Sequence, residues 1–219
     1  MPLTLYYHPL ASFCHKVLIA LYENNIAFEA RTIDLGADTD RAALGALWPL
    51  CKFPVLRDHE HQRTVPESSI IIEYLDRFAT RQTMIPVSAD DALQVRLWDR
   101  IFDNHVHAPM QDIVLDHIRG AKGDMASARA TIQTTYNLID QHMAALPWAA
   151  GQTFSMADCA AAPALFYAHT LEAFPEQHVH LRAYFERLIG RPSVQRVLAE
   201  AKPYFPMYPF HKAIPARFL

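Results

Sequence analysis

The chain has 219 residues, of which 51% are hydrophobic and 20% charged, and its formal net charge is −3 at pH 7. This composition is ordinary for a globular protein with one sizeable domain or two small ones. The small negative charge, with scattered lysine and arginine, argues against nucleic acid or an anionic membrane surface as a partner. The sequence contains no apolar stretch long enough to cross a bilayer, and its start lacks the features of a secretory leader.

Cysteine and glycine usage narrows the class of protein further. Cys14, Cys51 and Cys159 form neither a CxxC pair nor a zinc-like spacing, and their odd, sparse number fits a reduced, cytoplasmic compartment. We interpret Cys51 as structural. The six glycines form no GxGxxG and no phosphate-binding loop, so the sequence does not indicate a nucleotide-binding function.

The first eighty residues or so alternate between strand-forming and helix-forming segments. "LTLYYH" favours a strand, Pro9 breaks it, and "SFCHKVLIALYENN" carries apolar residues at helical spacing before the next strand, "IAFEARTID". A short helix at about 41–47 ends at Pro49, "FPVLRD" and "RTV" predict a hairpin, and "SSIIIEYLDRFA" predicts a closing helix. The predicted order β-α-β-α-β-β-α resembles the thioredoxin fold.

The strand signal stops after a predicted linker at residues 80–88. A long helix is predicted over 91–118, with Pro109 as a kink, and a second over about 124–145. Three more helices are predicted in "FSMADCAAAPALFYAHTL", "VHLRAYFERLIG" and "PSVQRVLAEA", where Gly190 and Pro192 mark a stop and a restart. We therefore predict a thioredoxin-like α/β domain at 1–79, followed by an all-helical bundle domain at 89–219.

Pro54 lies inside a run that otherwise predicts a buried strand, although proline cannot donate to a β-ladder. A cis bond before Pro54 is one way for the strand to tolerate it, and would turn the backbone groups of Phe53 outward as an edge for an extended ligand. An ordinary trans proline at the strand start is the alternative. The residues alone do not decide between the two.

The helix that follows the hairpin begins with Glu67 and Ser68. A helix N-terminus presents unpaired N–H groups and a partial positive charge, which suit a carboxylate or phosphate. Ser68 adds a hydroxyl donor, whereas Glu67 adds a negative charge that repels a simple anion. The pair suits a ligand with both an ammonium and a carboxylate, such as the α-amino-acid end of a peptide. Plain helix capping by serine is the alternative.

Several stretches together carry a family resemblance. "KFPVL", followed by "ESSIIIEYL", is similar to the glutathione-binding signature of cytosolic glutathione S-transferases. "FSMADCAAAP" resembles that family's N-capping box, with Ser155 and Asp158 at the S-x-x-D spacing. "LYYHP" and "RPSVQRVLAEAKPY" resemble the family's first strand and last helix. The resemblance covers essentially the whole chain, in the right order.

The resemblance implies glutathione as co-substrate and a position for each part of it. In the family the proline is cis, and the residue before it pairs through its backbone with the cysteine of glutathione. Carried over by position, Phe53 beside cis Pro54 clamps the tripeptide. Glu67 then holds the γ-glutamyl ammonium, Ser68 holds the carboxylate, and Lys52 reaches the glycine end.

The family's chemistry also needs a donor near the sulfur that favours thiolate over thiol. We expect this donor in "YYHPLASFCHK", where the hydroxyl of Ser12 and the helix dipole can both face the sulfur. Serine here resembles the theta, zeta and phi classes, and its place corresponds to the cysteine of the beta class. A bare N-cap role for Ser12 is one alternative. Tyr6, Tyr7 or Cys14 as the activating residue is another.

The resemblance implies a second substrate, a small hydrophobic electrophile, held between the two domains. The candidate pocket residues come from the first loop, the long helix and the aromatic tail "YFPMYPF": Leu10, Phe13, His105, Pro109, Ile113 and Tyr204. An apolar wall there fits hydrophobic electrophiles, and methionine adapts to varied shapes. A tail that simply covers the helical core is the alternative.

Three HxH pairs are candidate metal ligands: His59/His61, His105/His107 and His178/His180. On a helix such residues point about 200° apart, which is a poor arrangement for one ion. The first pair falls at a predicted hairpin tip with no third ligand nearby. We expect solvated surface histidines and no metal.

The predicted function is conjugation of the glutathione thiolate to small hydrophobic electrophiles, a detoxification reaction in the cytoplasm. The resemblance also implies a homodimer, in which the first domain of one subunit pairs with the second domain of the other. Two alternatives differ in kind. One is a glutathione-dependent isomerase or thiol-disulfide oxidoreductase on the same fold, and the other is a non-catalytic glutathione-binding stress protein.

Overall fold

The computed structural model describes residues 2–79 and 83–219, and the chain divides into two compact units, Met1–Met84 and Ile85–Leu219. The predicted linker at 80–88 begins with Thr80, Arg81 and Gln82, which lie outside the described residues. At its far end Ser88 is the N-cap of the next helix, and its Oγ accepts the backbone N–H of Asp91 at 3.4 Å.

The first unit follows the predicted order of elements. Its elements are β1 (Leu3–Tyr7), α1 (Ser12–Glu23), β2 (Glu29–Thr32), α2 (Asp38–Leu47), β3 (Val55–Asp58), β4 (Arg63–Pro66) and α3 (Ser68–Leu75). The sheet order is β2-β1-β3-β4, with β1 parallel to β2 and antiparallel to β3, while β3 and β4 form an antiparallel hairpin. This mixed sheet confirms the predicted thioredoxin-like class.

Burial in the first unit follows from position in the sheet. Strand β1 is central, and its first four residues are buried. Helix α1 packs against α3, and its stretch from Cys14 to Leu21 is buried without interruption. Strand β2, at the sheet edge, is short and exposed along its length, and short polar edges are a common protection against unwanted strand pairing.

The strand register brings three chain segments to one end of the sheet. Val55 pairs with Tyr6 on one side and with Pro66 on the other. The residues that follow β1, those that precede β3 and those that follow β4 therefore lie at the same end. We call this end the loop edge of the first unit.

The second unit is helical in its described residues, which confirms the predicted class. Its α-helices are α4 (Ala89–Phe102), α5 (Ala108–Ile118), α6 (Ala126–Met143), α7 (Met156–Leu171), α8 (Val179–Ile189) and α9 (Pro192–Ala201). Helix α7 is the core helix, buried from Met156 to Ala168 and packed against α4 and α8. Gly190 ends α8 and Pro192 begins α9, as predicted. Within the described residues, no helix combines the length and apolarity needed to cross a membrane.

The predicted long helix over 91–118 is interrupted before the predicted kink. One π-helical turn, Asp103–His107, separates α4 from α5, and Pro109 is the second residue of α5. Proline has no N–H, so it cannot donate to the carbonyl four residues earlier in an α-helix. Wider π turns and prolines are both recognised causes of helix breaks.

The aromatic tail packs on α7. The ring of Phe205 stacks on Phe166, and the ring of Tyr208 meets Tyr167 edge-on. The hydroxyl of Tyr208 is also hydrogen-bonded to Thr170 Oγ1 at 2.8 Å. These buried rings cover the helical core, which is the alternative role considered for this segment.

Candidate functional site

The segment before β3 presents open backbone at the loop edge. The Phe53–Pro54 peptide bond is cis, as the family resemblance implied. Strand β3 begins only at Val55, and no described residue hydrogen-bonds to the backbone N–H or C=O of Phe53. Phe53 packs its ring beside the cluster around Tyr6, so its backbone is held while its polar groups stay available. Lys52 is exposed next to it.

Helix α3 begins at the same edge with two polar side chains that have no hydrogen-bond partner in the part of the chain that the structure describes. Glu67 is the exposed N-cap, and its φ of 67° and ψ of 118° are uncommon for a residue with a side chain. Ser68 is 7% exposed. Among the described residues, neither the Glu67 carboxylate nor the Ser68 hydroxyl makes a hydrogen bond. The result is a helix N-terminus with a free acceptor and a free donor.

Ser12 also lies at the loop edge, as the first residue of α1. The N-cap is Ala11, which has no side-chain capping bond, so the alternative of Ser12 as a bare N-cap is wrong. Ser12 is partly exposed, and its hydroxyl lies in the first turn, where the helix N-terminus favours negative charge. Such a position can stabilise a thiolate.

Of the three rivals of Ser12, Tyr6 and Cys14 are buried, whereas Tyr7 is partly exposed at the loop edge. Tyr6 is mostly buried in an apolar cluster, with the Arg31 guanidinium 5.4 Å from its ring centroid. Tyr7 is the last residue of β1 and pairs with Thr32. Cys14 is fully buried, and burial raises the pKa of its thiol to about 12, although a hydrogen bond from the His8 backbone partly offsets this. A thiol in that state is a poor nucleophile.

Two buried polar residues of α1 were missed in the sequence. His15 donates from Nε2 to the Pro9 carbonyl at 2.6 Å, and Lys16 donates from Nζ to Ser69 Oγ at 2.8 Å. Both side chains are 1% exposed. The available signal was the run of polar residues, Cys14 to Lys16, inside an otherwise apolar helix. These bonds tie α1 to the loop before it and to the residue after Ser68.

The candidate pocket residues for a second substrate lie in both units. Leu10 and Phe13 are partly exposed at the loop edge of the first unit. In the helical unit His105 is exposed and Tyr204 half-buried, while Pro109 and Ile113 are buried in α5. A cavity of about 540 Å³ lies between α5 and α6, and its lining includes Pro109 but not His105, Ile113 or Tyr204.

His107 and His178 are buried, so the expectation that all of these histidines are solvated is wrong for those two. At least three of the six are hydrogen-bonded to other side chains. His59 Nε2 is hydrogen-bonded to Thr4 Oγ1, His61 Nδ1 to Asp58 Oδ2, and His178 Nε2 to Asn137 Oδ1. In the part of the chain that the structure describes, no three His, Cys, Asp or Glu side chains gather as a metal site would require.

Comparison with known proteins identifies the family. Residues 11–77 match the N-terminal domain of glutathione S-transferases, and residues 88–187 match the C-terminal domain. The chain therefore belongs to the glutathione S-transferase family.

Individual relatives are distant. A glutathione S-transferase of Silene vulgaris is 24% identical over 92% of this chain and 99% of its own. A stringent starvation protein A homologue of Haemophilus influenzae is 28% identical over 87% of each chain. A crystal structure of a glutathione S-transferase from Methylobacillus flagellatus KT with glutathione bound has a TM-score of 0.81 at 22% identity, covering 89% of this chain and 98% of that one. This structural likeness shows that the chain has the glutathione S-transferase fold.

Proposed function

We propose that the protein is a glutathione transferase that conjugates the glutathione thiolate to small hydrophobic electrophiles. The observation that carries this proposal is the start of α3. There the Glu67 carboxylate and the Ser68 hydroxyl have no partner among the described residues, at the same sheet end as the open backbone of Phe53. A zwitterionic head group on α3 and an extended backbone beside Phe53 would use all of these groups.

Each part of glutathione has a proposed partner. Glu67 accepts from the γ-glutamyl ammonium, and Ser68 donates to the neighbouring carboxylate, which the positive end of α3 also favours. The backbone of Phe53, ahead of Pro54, pairs with the cysteine residue of glutathione. Lys52, exposed at this edge, attracts the glycine carboxylate. The Methylobacillus flagellatus relative with glutathione bound is consistent with this ligand.

The proposed chemistry places the sulfur at the N-terminus of α1. Ser12 donates its hydroxyl to the sulfur, which favours thiolate and releases the thiol proton to solvent near neutral pH. The thiolate attacks the electrophilic carbon, a carbon–sulfur bond forms, and the leaving group departs with its bonding electron pair. Leu10, Phe13, His105, Pro109, Ile113 and Tyr204 remain the candidates for holding the electrophile.

Titration calorimetry with glutathione, followed by turnover on a panel of electrophiles, tests the proposal. We expect saturable binding that Ser68→Ala weakens, together with conjugation that Ser12→Ala slows. No heat on adding glutathione would overturn the assignment.

We also propose that the protein is a homodimer in the cytoplasm. Light scattering on the purified chain would check the homodimer. Leu93 and Leu97, exposed one turn apart on α4, are available for such an interface.

A glutathione-binding protein without turnover is the second candidate function. The Haemophilus influenzae relative, named a stringent starvation protein A homologue rather than a transferase, favours it. Saturable glutathione binding with no conjugation across the panel would support this candidate.

The thiol-disulfide oxidoreductase alternative is weaker, because Cys14 is buried and its thiol pKa is raised to about 12. A mixed disulfide between Cys14 and glutathione, detected by mass spectrometry, would restore it.

A further inference from the structure

The loop between β1 and α1 is a tight turn with a proline at its second position. The backbone N–H of Ala11 donates to the carbonyl of His8 at 3.0 Å, which closes a four-residue turn from His8 to Ala11. Proline at the second position suits both of the common turn types, I and II. These two types differ mainly in which way the central peptide points. In this turn the central peptide joins Pro9 to Leu10.

Both polar groups of that central peptide are held by histidine side chains. The Pro9 carbonyl accepts from His15 Nε2 at 2.6 Å, and the Leu10 N–H donates to His8 Nδ1 at 3.2 Å. In a trans peptide the C=O and the N–H point in opposite directions, so the two bonds hold this peptide at both of its edges. Flipping the peptide would break both bonds, so together they select one of the two turn geometries.

The position of His15 in α1 allows its ring to hold the Pro9–Leu10 peptide. It lies three residues after Ser12, and it is 1% exposed. Burial lowers the pKa of His15 to about 4, although the bond to Pro9 partly offsets this. The ring is therefore neutral near pH 7 and has one N–H. Since a carbonyl can only accept, that N–H is on Nε2.

We propose that His15 is a positioning residue for Ser12, which it serves by holding the Pro9–Leu10 peptide in one orientation. This rests on the proposed function, in which Ser12 stabilises the glutathione thiolate. Ala11 is the last residue of the turn and Ser12 follows it directly, so a flipped peptide would move the entry of α1 and the Ser12 hydroxyl with it. Misplacement of a reacting group by about 1 Å can cost about a hundredfold in rate.

Three substitutions at one position test the proposal. In His15→Gln the amide nitrogen can take the place of Nε2 and reach the Pro9 carbonyl, whereas in His15→Asn it falls short, and in His15→Leu no donor remains. The thiol pKa of bound glutathione, the conjugation kcat and the glutathione Kd are measured in the full chain. We expect Leu and Asn to raise the thiol pKa and lower kcat by about tenfold to a hundredfold. His15→Gln should have a thiol pKa and a kcat close to those of the wild type. In all three variants the Kd should change little, because the head group is held on α3.

Two controls separate positioning from general damage. His142 makes the same kind of bond in the helical unit, from Nε2 to the Ala149 carbonyl at 2.7 Å, so His142→Leu should leave the thiol pKa unchanged. In a Ser12→Ala background, His15→Asn should raise the thiol pKa no further, because the two substitutions act through one group.

Two results would overturn the proposal. One is a wild-type thiol pKa in all three variants. The other is an equal loss in Gln and Asn, whether both stay folded or both lose stability alike. A wild-type chain that binds glutathione without lowering its thiol pKa would instead defeat the proposed function, and the role of His15 with it.

Discussion

Two helices of this protein each begin with a serine and a carboxylate side chain, and the two pairs are used in opposite ways. Helix α7 starts with Ser155 and Asp158, and α3 starts with Glu67 and Ser68. Asp158 is fully buried and accepts from the N–H groups of Ser155 and Ala149 at 2.9 Å, and from the hydroxyl of Tyr184 at 2.6 Å. Glu67 and Ser68 have no such protein partners in the described chain.

The difference shows where polar groups serve the fold and where they are available to a ligand. Burial raises the pKa of Asp158, although its hydrogen bonds from Ala149, Tyr184 and Ser155 work against this. Such a carboxylate costs stability unless it is fully hydrogen-bonded. At α3 similar polar groups are left open, and one of the two residues, Glu67, itself has a positive φ. Strained backbone of this kind is often found at functional sites.

Removing the Asp158 carboxylate should have the largest effect and should fall on stability. Asp158→Ala leaves four buried donor groups without this acceptor, namely the N–H groups of Ala149 and Ser155 and the hydroxyls of Ser155 and Tyr184. We therefore expect a loss of at least about 3 kcal/mol in the free energy of unfolding. Urea denaturation measures it. Glutathione affinity of the remaining folded protein should be unchanged. A loss below about 1 kcal/mol would contradict the structural role given to this helix start.

Ser12→Ala should have the next largest effect, and it should fall on chemistry. Loss of one donor to developing negative charge typically costs about 10² to 10³ in kcat. We expect a raised thiol pKa for bound glutathione and little change in the free energy of unfolding. Cys14→Ala is the matched control, because Cys14 is buried two residues away in the same helix. A greater loss of turnover in Cys14→Ala would point to thiol chemistry instead.

Ser68→Ala tests the open helix start directly. A hydrogen bond to a charged group is worth about 1.5–3 kcal/mol, so the Kd for glutathione should rise by about tenfold to a hundredfold. Stability should change by less than about 0.5 kcal/mol, because the Ser68 hydroxyl has no hydrogen bond to any described residue to lose. The control, Ser155→Ala, should show the reverse, with about 1 kcal/mol lost from stability and an unchanged Kd. Equal effects of the two substitutions on stability would abolish the contrast between the helices.

The smallest expected effect concerns Asp58, a second buried carboxylate whose hydrogen bonds come from the protein itself. Asp58 is buried in the first unit, where burial alone would raise its pKa. Hydrogen bonds from Tyr74 and His61 outweigh the burial and hold the pKa of Asp58 well below its usual range. The ionised form therefore stabilises the fold fully above the unfolded pKa of about 3.9, and this contribution is lost as the pH falls below it.

Tyr74→Phe removes the 2.6 Å bond from the Tyr74 hydroxyl to Asp58 Oδ2. We expect a loss of about 1 kcal/mol near neutral pH. The gap to the wild type should narrow only below the unfolded pKa of about 3.9, as the pH approaches the lowered folded pKa of Asp58, because the protonated carboxyl needs the donor less. Urea denaturation across this range measures the gap. A gap that stays constant with pH would show that the bond does not act on the ionised form.

Much of this fold could be predicted from short sequence patterns. The β-α-β-α-β-β-α order followed from hydrophobic periodicity and turn residues, and the α7 capping box from its S-x-x-D spacing. Gly190 and Pro192 marked a helix stop and restart correctly. The π turn at Asp103–His107 was missed because no local residue signal distinguishes it from continued helix.

The candidate site was only partly predictable. Glu67, Ser68 and Phe53 stood out because a helix start and a proline within a strand are local features. The cis bond at Pro54 came from the family resemblance rather than from the residues themselves. The inward direction of His15 and Lys16 was missed, because polar residues on a helix usually face solvent and only the apolar residues around these two indicated otherwise.

The sequence alone determined the elements, their order and their caps, since these depend on residues a few positions apart. Tertiary structure decided which polar groups found partners. Asp158 is fully hydrogen-bonded because packing brings Ala149 and Tyr184 to it, the latter from 26 residues away. The side chains of Glu67 and Ser68 remain without a protein partner in the described chain. The sheet register places them at the loop edge, where no described segment packs over their polar groups. Partners supplied across such separations depend on packing, and no local spacing encodes them.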